Sequence, residues 1–367
     1  MSVKNYANSS LATSESGMIS ILTTMVLMIV ISLVVLGFAQ ISRRNQRESL
    51  DRQLSTQAFY AAESGVNDVR QLIEAATNSG NAISDKVSCS DTGTGGFYTT
   101  LTTKADLDAA NNVKYSCVTV NTAPSVLRYS DVGTTSLIVP MTSASGTPFS
   151  AIGLNWQTKQ GTSTPTSGCP TAPNNVFTSN ASWSCGYGVL RFDLVPTAGN
   201  GLTADSLRNA TMTVFAVPLS SGGATTITYP AASPASTSNS NTLVGVKCTN
   251  SNCSLQVTGL SQTSYSMRIS SVYQDAALQI TPTDASGNPL KVSGAQVVID
   301  STGKAQDVLR RIQVNVPVRN NSNNQLSDFA LQTTDSICKR FSVMGGGYFA
   351  VNPSPVGPIT STNPLCQ

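Results

Sequence analysis

An uncharged apolar run near the N-terminus constrains this chain more than any other feature of its sequence. Residues 18–41 contain no Asp, Glu, Lys or Arg, and Arg43, Arg44 and Arg47 follow at once. As an α-helix, this run of 24 residues extends over about 36 Å, which exceeds the roughly 30 Å thickness of the hydrocarbon layer of a bilayer. The run is therefore long enough to span a membrane. It is also longer than the apolar region of a cleaved secretory signal, which has about 7–15 residues.

The helical pattern continues beyond the arginines. No proline precedes Pro124, and small or apolar residues recur at steps of three and four as far as Ala76, which is the spacing of one helical face. Gly80 is placed to cap the C-terminus. The sequence thus predicts one helix of about 60 residues and ~90 Å, apolar over 18–41 and amphipathic over 42–79. The residues expected to pack on a folded head are Leu54, Ala58, Ala61, Ala62, Val66, Val69 and Ile73.

These features together resemble the N-terminus of a type IV prepilin. They are a short polar leader over 1–17, an apolar helix that begins at Met18 and an amphipathic continuation. The segment LDRQLSTQAFYAAESGVNDV, residues 50–69, is similar to the stretch after the membrane segment in PilX-like minor pilins. In that family the prepilin peptidase cleaves after the glycine and methylates the new N-terminus. The resemblance therefore implies processing between Gly17 and Met18.

The resemblance also implies a position in the filament. Major pilins carry a glutamate at the fifth mature position, where this chain has Leu22. The glutamate pairs with the N-terminal amine of a neighbouring subunit, and some minor pilins and tip pseudopilins lack it. Together with the large head, Leu22 implies a minor or tip component.

The partners and location implied by the family are other pilins, the pilus assembly platform and the prepilin peptidase. Before assembly the subunit would span the cell membrane once through residues 18–41, with its head outside the cytoplasm, and it would then enter an extracellular filament. The positive charges oppose this orientation, because only Lys4 precedes the span whereas Arg43, Arg44, Arg47 and Arg52 follow it. The cysteines favour it.

All eight cysteines lie beyond the helix. An even number of cysteines in a membrane-tethered ectodomain indicates disulfides in an oxidising compartment. About 105 pairings are possible, and free buried thiols or a metal site are the alternatives. Zinc is disfavoured because the chain has no CxxC spacing and no histidine, so we expect no metal and no cofactor. We favour pairs of chain neighbours: Cys89 with Cys117, Cys169 with Cys185, Cys248 with Cys253, and Cys338 with Cys366.

The rest of the chain predicts strands rather than helices, so the expected fold class is α+β, with the long helix packed on a disulfide-bonded antiparallel β-rich head. Alternating or β-branched runs occur at 113–120, 136–139, 149–156, 189–195, 211–217, 243–246, 254–257, 265–273 and 277–281. The strongest hairpin joins strands over 296–300 and 308–318 through a turn at Ser301-Thr302-Gly303-Lys304. This hairpin is the expected cover of the amphipathic half of the helix.

The head divides by composition into three expected regions. Residues 80–140 begin the β-rich head, and residues 283–367 hold the hairpin and a C-terminal disulfide. Between them, 141–282 form an inserted or distal β-rich region whose Ser/Thr/Pro-rich stretches are typical of exposed loops.

Catalytic chemistry finds no support in the sequence. The absence of histidine removes Ser-His-Asp and Cys-His catalysis, and charged residues make up only 11% of the chain, too few to indicate a carboxylate pair. We interpret Trp156, Trp183, Tyr187 and Phe192 as core rather than as a sugar-binding face.

The sequence therefore predicts a non-enzymatic structural subunit of a type IV pilus or related filament, serving adhesion, motility or DNA uptake. The alternative is an uncleaved, single-pass surface adhesin. A host surface or DNA is the candidate ligand of the head, with Arg310, Arg311, Lys339 and Arg340 as possible contacts to a DNA backbone; with a net charge of only +3, a solvated face is the preferred interpretation of these residues.

Overall fold

The computed structural model describes residues 16–159, 166–173, 180–197, 210–229, 242–318, 342–344 and 348–350. The helices are α1 (Ser16–Asn78) and α2 (Thr99–Lys104), with short 3₁₀ turns at Thr94–Gly96 and Asn180–Ser182. The strands are β1 (Asp106–Asp108), β2 (Val113–Asn121), β3 (Leu127–Val132), β4 (Leu137–Ser143), β5 (Ala151–Thr158), β6 (Val189–Pro196), β7 (Met212–Leu219), β8 (Thr226–Thr228), β9 (Thr242–Lys247), β10 (Cys253–Thr258), β11 (Ser264–Val272), β12 (Ala276–Thr283), β13 (Val292–Ser293), β14 (Gln296–Ala305), β15 (Val308–Pro317), β16 (Ser342–Met344) and β17 (Tyr348–Ala350).

The helix α1 is continuous over 63 residues. It ends in a Schellman motif, in which the Asn81 N–H donates to the Ala76 carbonyl at 2.8 Å and the Gly80 N–H donates to the Thr77 carbonyl at 3.2 Å. Gly80 has a φ of 68°, a conformation that glycine adopts without the steric cost of a side chain. A long helix packed on an antiparallel, disulfide-bonded β-rich head confirms the expected α+β class.

The chain forms two compact units, one from 1–127 with 291–321 and the other from 128–290 with 322–367. In the first unit, four antiparallel strands lie in the order β1-β2-β14-β15. The amphipathic half of α1 contacts three of them, β2, β14 and β15. The hydrophobic core of this first unit lies between one face of α1 and the sheet. The buried residues are Val66, Val69, Ile73, Tyr98, Leu101, Tyr115, Val118, Val120, Val297 and Ile299.

The hairpin of β14 and β15 covers the helix as expected, but the predicted position of its turn is wrong. The ladder continues through Gly303 paired with Arg310 to Ala305 paired with Val308, so the turn lies at Gln306-Asp307, where Gln306 has a φ of 51°. Ser301 is fully buried within the strand. The turn-like composition of residues 301–304 has another cause: Ser301 and Gly303 are small, so α1 is able to approach β14 closely.

The second unit contains two further sheets. One has the strand order β3-β12-β5-β10-β8, with a parallel pairing between β10 and β8. In the other, β4, β11, β6, β7 and β9 are successive neighbours, and β7 and β9 run parallel. The central strand β6 turns Leu190, Phe192 and Leu194 into the core, where each is fully buried. The short strands β16 and β17 pair with each other.

Candidate functional site: the long helix and its packing face

The apolar half of α1 presents a continuous hydrophobic surface. Its large apolar side chains between Ile19 and Ile41 are 50–72% exposed, and an 18-residue window of the helix has a mean hydropathy of 2.8 with none of that window buried. Soluble monomers rarely expose apolar patches beyond a few hundred Å². This half of the helix therefore requires a lipid or protein environment. By length and composition it is able to cross a membrane.

Three hydroxyls within this half, those of Thr23, Thr24 and Ser32, donate hydrogen bonds within the helix itself. Thr23 Oγ1 donates to the Ile19 carbonyl at 3.0 Å, Thr24 Oγ1 to the Ile21 carbonyl at 2.9 Å, and Ser32 Oγ to the Met28 carbonyl at 2.7 Å. A hydroxyl without a partner is costly in hydrocarbon. Because these groups already have partners, the segment is able to enter an apolar environment without leaving them unpaired.

The two residues of the predicted processing site lie at the start of α1, which begins at Ser16. Gly17 and Met18 are thus in its first turn, and Leu22 follows one turn later with 65% of its surface exposed. The structure places Gly17 and Met18 ahead of the apolar surface, at the end of the helix remote from the head.

The amphipathic half buries the face that the sequence indicates. Six of the seven residues named for packing are at most 4% exposed, and Leu54, nearest the apolar half, is half-buried. The six are Ala58, Ala61, Ala62, Val66, Val69 and Ile73. The buried side chains become smaller along the helix toward the apolar half, from isoleucine and valine to alanine. The helix is therefore able to lie closest to the sheet at its alanines.

The sequence does not predict the packing role of two glycines and a serine at this contact. A Cβ on Gly303 would lie 2.0 Å from the Ala58 carbonyl oxygen and 2.4 Å from the Ala62 nitrogen, and a Cβ on Gly65 would lie 2.5 Å from Ser301 Oγ. The backbones of α1 and β14 therefore approach each other closely at Gly303, and the helix accommodates the side chain of Ser301 at Gly65. An isolated glycine within a strand pattern is the sequence signal for such an approach.

Two polar contacts fix the position of the sheet along the helix. The Tyr115 hydroxyl on β2 donates to Asp68 Oδ2 on α1 at 3.0 Å, and burial, reinforced by this carboxylate, raises the pKa of Tyr115 well above its usual range. The Arg310 Nε on β15 donates to Ser55 Oγ at 2.8 Å. Because each contact joins the helix to one strand of the sheet, the two together set where along the helix the sheet sits.

The loop after α1 is held by a lysine and a disulfide. Lys86 is 5% exposed, and its Nζ donates to the Ser88 and Cys89 carbonyls at 2.9 Å each and to the Asp91 carbonyl. Burial lowers the pKa of Lys86, an effect that the Asp91 carboxylate opposes. The disulfide between Cys89 and Cys117 joins this loop to β2. The loop is thereby fastened to the sheet that packs on the helix.

Two of the four basic residues considered as possible contacts to a DNA backbone have partners within the protein. Arg310 binds Ser55, as described above, and Arg311 Nε contacts both carboxylate oxygens of Asp300 at 2.7 and 2.9 Å. Lys339 and Arg340 lie outside the described residues. Arg310 thus joins the hairpin to α1, and Arg311 pairs with Asp300 within the hairpin.

The remaining predicted residues lie in the second unit. Disulfides join Cys169 to Cys185 and Cys248 to Cys253, whereas Cys338 and Cys366 lie outside the described residues. Three of the four aromatic residues interpreted as core, Trp156, Tyr187 and Phe192, are at most 1% exposed. The fourth, Trp183, is partly buried and stacks on Tyr273 with ring centroids 4.3 Å apart. No group of three His, Cys, Asp or Glu side chains suited to a metal ion occurs among the residues the structure describes.

Comparison with known proteins agrees with the geometry of α1. The PilX N-terminal family model matches residues 16–67, which include the whole apolar half and the start of the packing face. Residues 16–67 of this chain are similar to the N-terminal region of PilX-like type IV pilins. The match ends within α1, so this similarity does not extend to the β-rich head. Searches of curated proteins and of solved structures gave no match.

Proposed function

We propose that the protein is a non-enzymatic, minor or tip subunit of a type IV pilus or related filament. One observation carries this proposal: a single unbroken helix has an exposed apolar half and a half packed beneath a folded head. A bare anchor has no need of the second half. The match of the PilX N-terminal family to residues 16–67 supports the same function.

The helix serves two environments in succession. In the membrane, residues 18–41 lie in lipid, where all backbone groups are paired within the helix. After extraction by the assembly platform, the same side chains are buried against the helices of other pilins. Hydrophobic burial favours both states, so the subunit moves from one to the other without a change of fold. The head, joined to the far half, is carried to the filament surface.

The minor or tip position rests on Leu22 and on the size of the head. A leucine at this position has no carboxylate with which to pair the N-terminal amine of a neighbour. The head follows Asn78, where α1 ends, and comprises nearly four-fifths of the chain. Both features favour a subunit present in few copies rather than one repeated along the shaft.

Mass spectrometry of the N-terminus of the native protein tests this function directly. We expect a mature chain that starts at Met18 and carries a methyl group. Gly17→Glu should abolish cleavage and incorporation into filaments, because the peptidase of the family cleaves after a glycine. Ser14→Glu, which adds the same charge three residues earlier, is the control and should be processed normally.

The rival function makes the opposite prediction. Native protein that still begins at Met1 and remains in the membrane would identify an uncleaved surface anchor instead. Normal filament incorporation of the Gly17→Glu variant would equally contradict the proposal.

A further inference from the structure

Three arginines form a basic patch at the end of the apolar half of α1. Arg43, Arg44 and Arg47 are exposed, and their spacing places them within an arc of about 100° on the helix surface. They begin two residues after Ile41. We refer to these three residues as the arginine patch.

The positive charge of the arginine patch is not neutralised by ion pairs within the described residues. Among the described residues, Arg43, Arg44 and Arg47 make no ion pair or hydrogen bond, while the next arginine, Arg52, pairs with Glu48 at 2.6 Å. Asp51 lies one turn beyond Arg47 and offsets one of the three charges at most. The patch therefore keeps a net positive charge.

Position along the helix decides which anion the patch meets. The 24 uncharged residues from Met18 to Ile41 span the hydrocarbon layer with a few ångströms to spare, and the polar head-group layer adds about 5–8 Å on each side. Arg43 to Arg47 extend over about 6 Å of helix. The three guanidinium groups therefore lie at the depth of the phosphates when the helix spans a bilayer.

We propose that the arginine patch binds the head groups of anionic phospholipids while the subunit resides in the membrane. Each guanidinium offers a planar pair of donors that matches two phosphate oxygens, and cationic residues at a membrane surface favour anionic lipid. This inference rests on the membrane-resident state in the proposed function and adds a partner to it. It also accounts for positive charge on the side of the head, which the usual distribution of Lys and Arg disfavours: the lipid phosphates neutralise that charge.

Lipid selectivity in defined vesicles tests the inference. The full chain is reconstituted into phosphatidylcholine vesicles that contain spin-labelled phosphatidylglycerol or spin-labelled phosphatidylcholine, and electron paramagnetic resonance measures the lipid held at the protein surface. We expect an association constant for phosphatidylglycerol about fivefold that for phosphatidylcholine. In the triple variant Arg43→Gln, Arg44→Gln, Arg47→Gln this ratio should fall to about one.

Two controls make the outcome specific. Arg70→Gln removes an exposed arginine of the same helix, about 35 Å farther along, and should leave the selectivity unchanged. Inorganic phosphate and sodium chloride at equal ionic strength should reduce the selectivity equally, since both screen the charges. A larger effect of phosphate would show that the patch takes a soluble anion, and would overturn the assignment to lipid.

Other results would also reject the inference. A ratio near one in the wild-type protein does so, as does a triple variant with unchanged selectivity. The total amount of immobilised lipid should be the same in all variants, because residues 18–41 are untouched. The measurement involves no cleavage and no assembly, so its failure would leave the proposed filament function standing. Failure of processing, in turn, would leave the lipid result intact.

Discussion

Substitution of Gly303 by alanine is the sharpest test of how the helix and head are joined. The new Cβ would lie 2.0 Å from the Ala58 carbonyl oxygen and 2.4 Å from the Ala62 nitrogen. An ordinary carbon–oxygen contact is about 3.3 Å, so the helix must move away from β14 by about 1 Å or more. The obstructing atoms belong to the backbone of α1, and they cannot move aside as the end of a flexible side chain would.

The energetic cost follows from this displacement. Overpacking of a well-packed core costs typically 1–3 kcal/mol, and a shift of α1 also loosens the contacts of Val66 and Val69 with the sheet. We therefore expect about 3 kcal/mol of local destabilisation. Hydrogen–deuterium exchange of the full chain in detergent micelles measures it: amides of residues 58–76 should exchange on the order of 100-fold faster.

Gly153→Ala is the matched control. Gly153 also lies in a strand, β5, but its added Cβ would be 3.5 Å from the Thr281 carbonyl oxygen, an ordinary contact. Alanine there should be neutral or slightly stabilising, since it reduces the freedom of the unfolded chain. If Gly303→Ala left the exchange of residues 58–76 within a factor of about two of the wild type, a change of under 0.5 kcal/mol, the close approach of helix and strand would be refuted.

Two further predictions concern the same unit and the disulfides. Ala62→Glu should bury an unpaired carboxylate at a cost of several kcal/mol, which should make the head protease-sensitive without affecting membrane insertion. The control is Gln53→Glu at an exposed position, which should be close to neutral. Unchanged protease resistance of the Ala62 variant would mean that this face does not pack on the head. Thiol alkylation of the unreduced, unfolded chain should label almost none of the eight cysteines. In denaturant unfolding, loss of the Cys89–Cys117 bond, whose cysteines are 28 residues apart, should lower the free energy of unfolding by about 1.5 kcal/mol more than loss of the Cys248–Cys253 bond, whose cysteines are five apart, on the chain-entropy model. Extensive labelling, or the reverse ranking, would contradict these expectations.

The helix was the most predictable element because its signals are local and repeated. Steps of three and four residues, the absence of proline and the terminal Gly80 indicate its extent, and α1 ends at Asn78. The strands were also recognisable by alternation, as in β2 and β6. The short strands β1 and β8, of three residues each, offer too few positions for a period to appear.

The errors arose where a residue type has two physical uses. Ser301, Thr302 and Gly303 have the composition of a turn, yet they continue β14 because the helix backbone requires small residues opposite it. That requirement comes from a contact between residues more than 200 positions apart in the chain. A single sequence carries no local sign of which helix residue will face Gly303, so packing overrides turn propensity only once the fold is formed.

The contacts of α1 are compatible with the proposed transfer of one helix from a membrane to a filament. Among the residues that the structure describes, the head contacts the amphipathic half, through the alanine face and the bonds of Tyr115 to Asp68 and of Arg310 to Ser55. The apolar half has internal partners for Thr23, Thr24 and Ser32, and none of its residues belongs to the described core that joins α1 to the sheet. Its surroundings are therefore free to change from lipid to protein while the packing of the head stays the same. Since the helix is unbroken between the two halves, a force applied to the apolar half reaches the head through backbone hydrogen bonds rather than through a flexible linker.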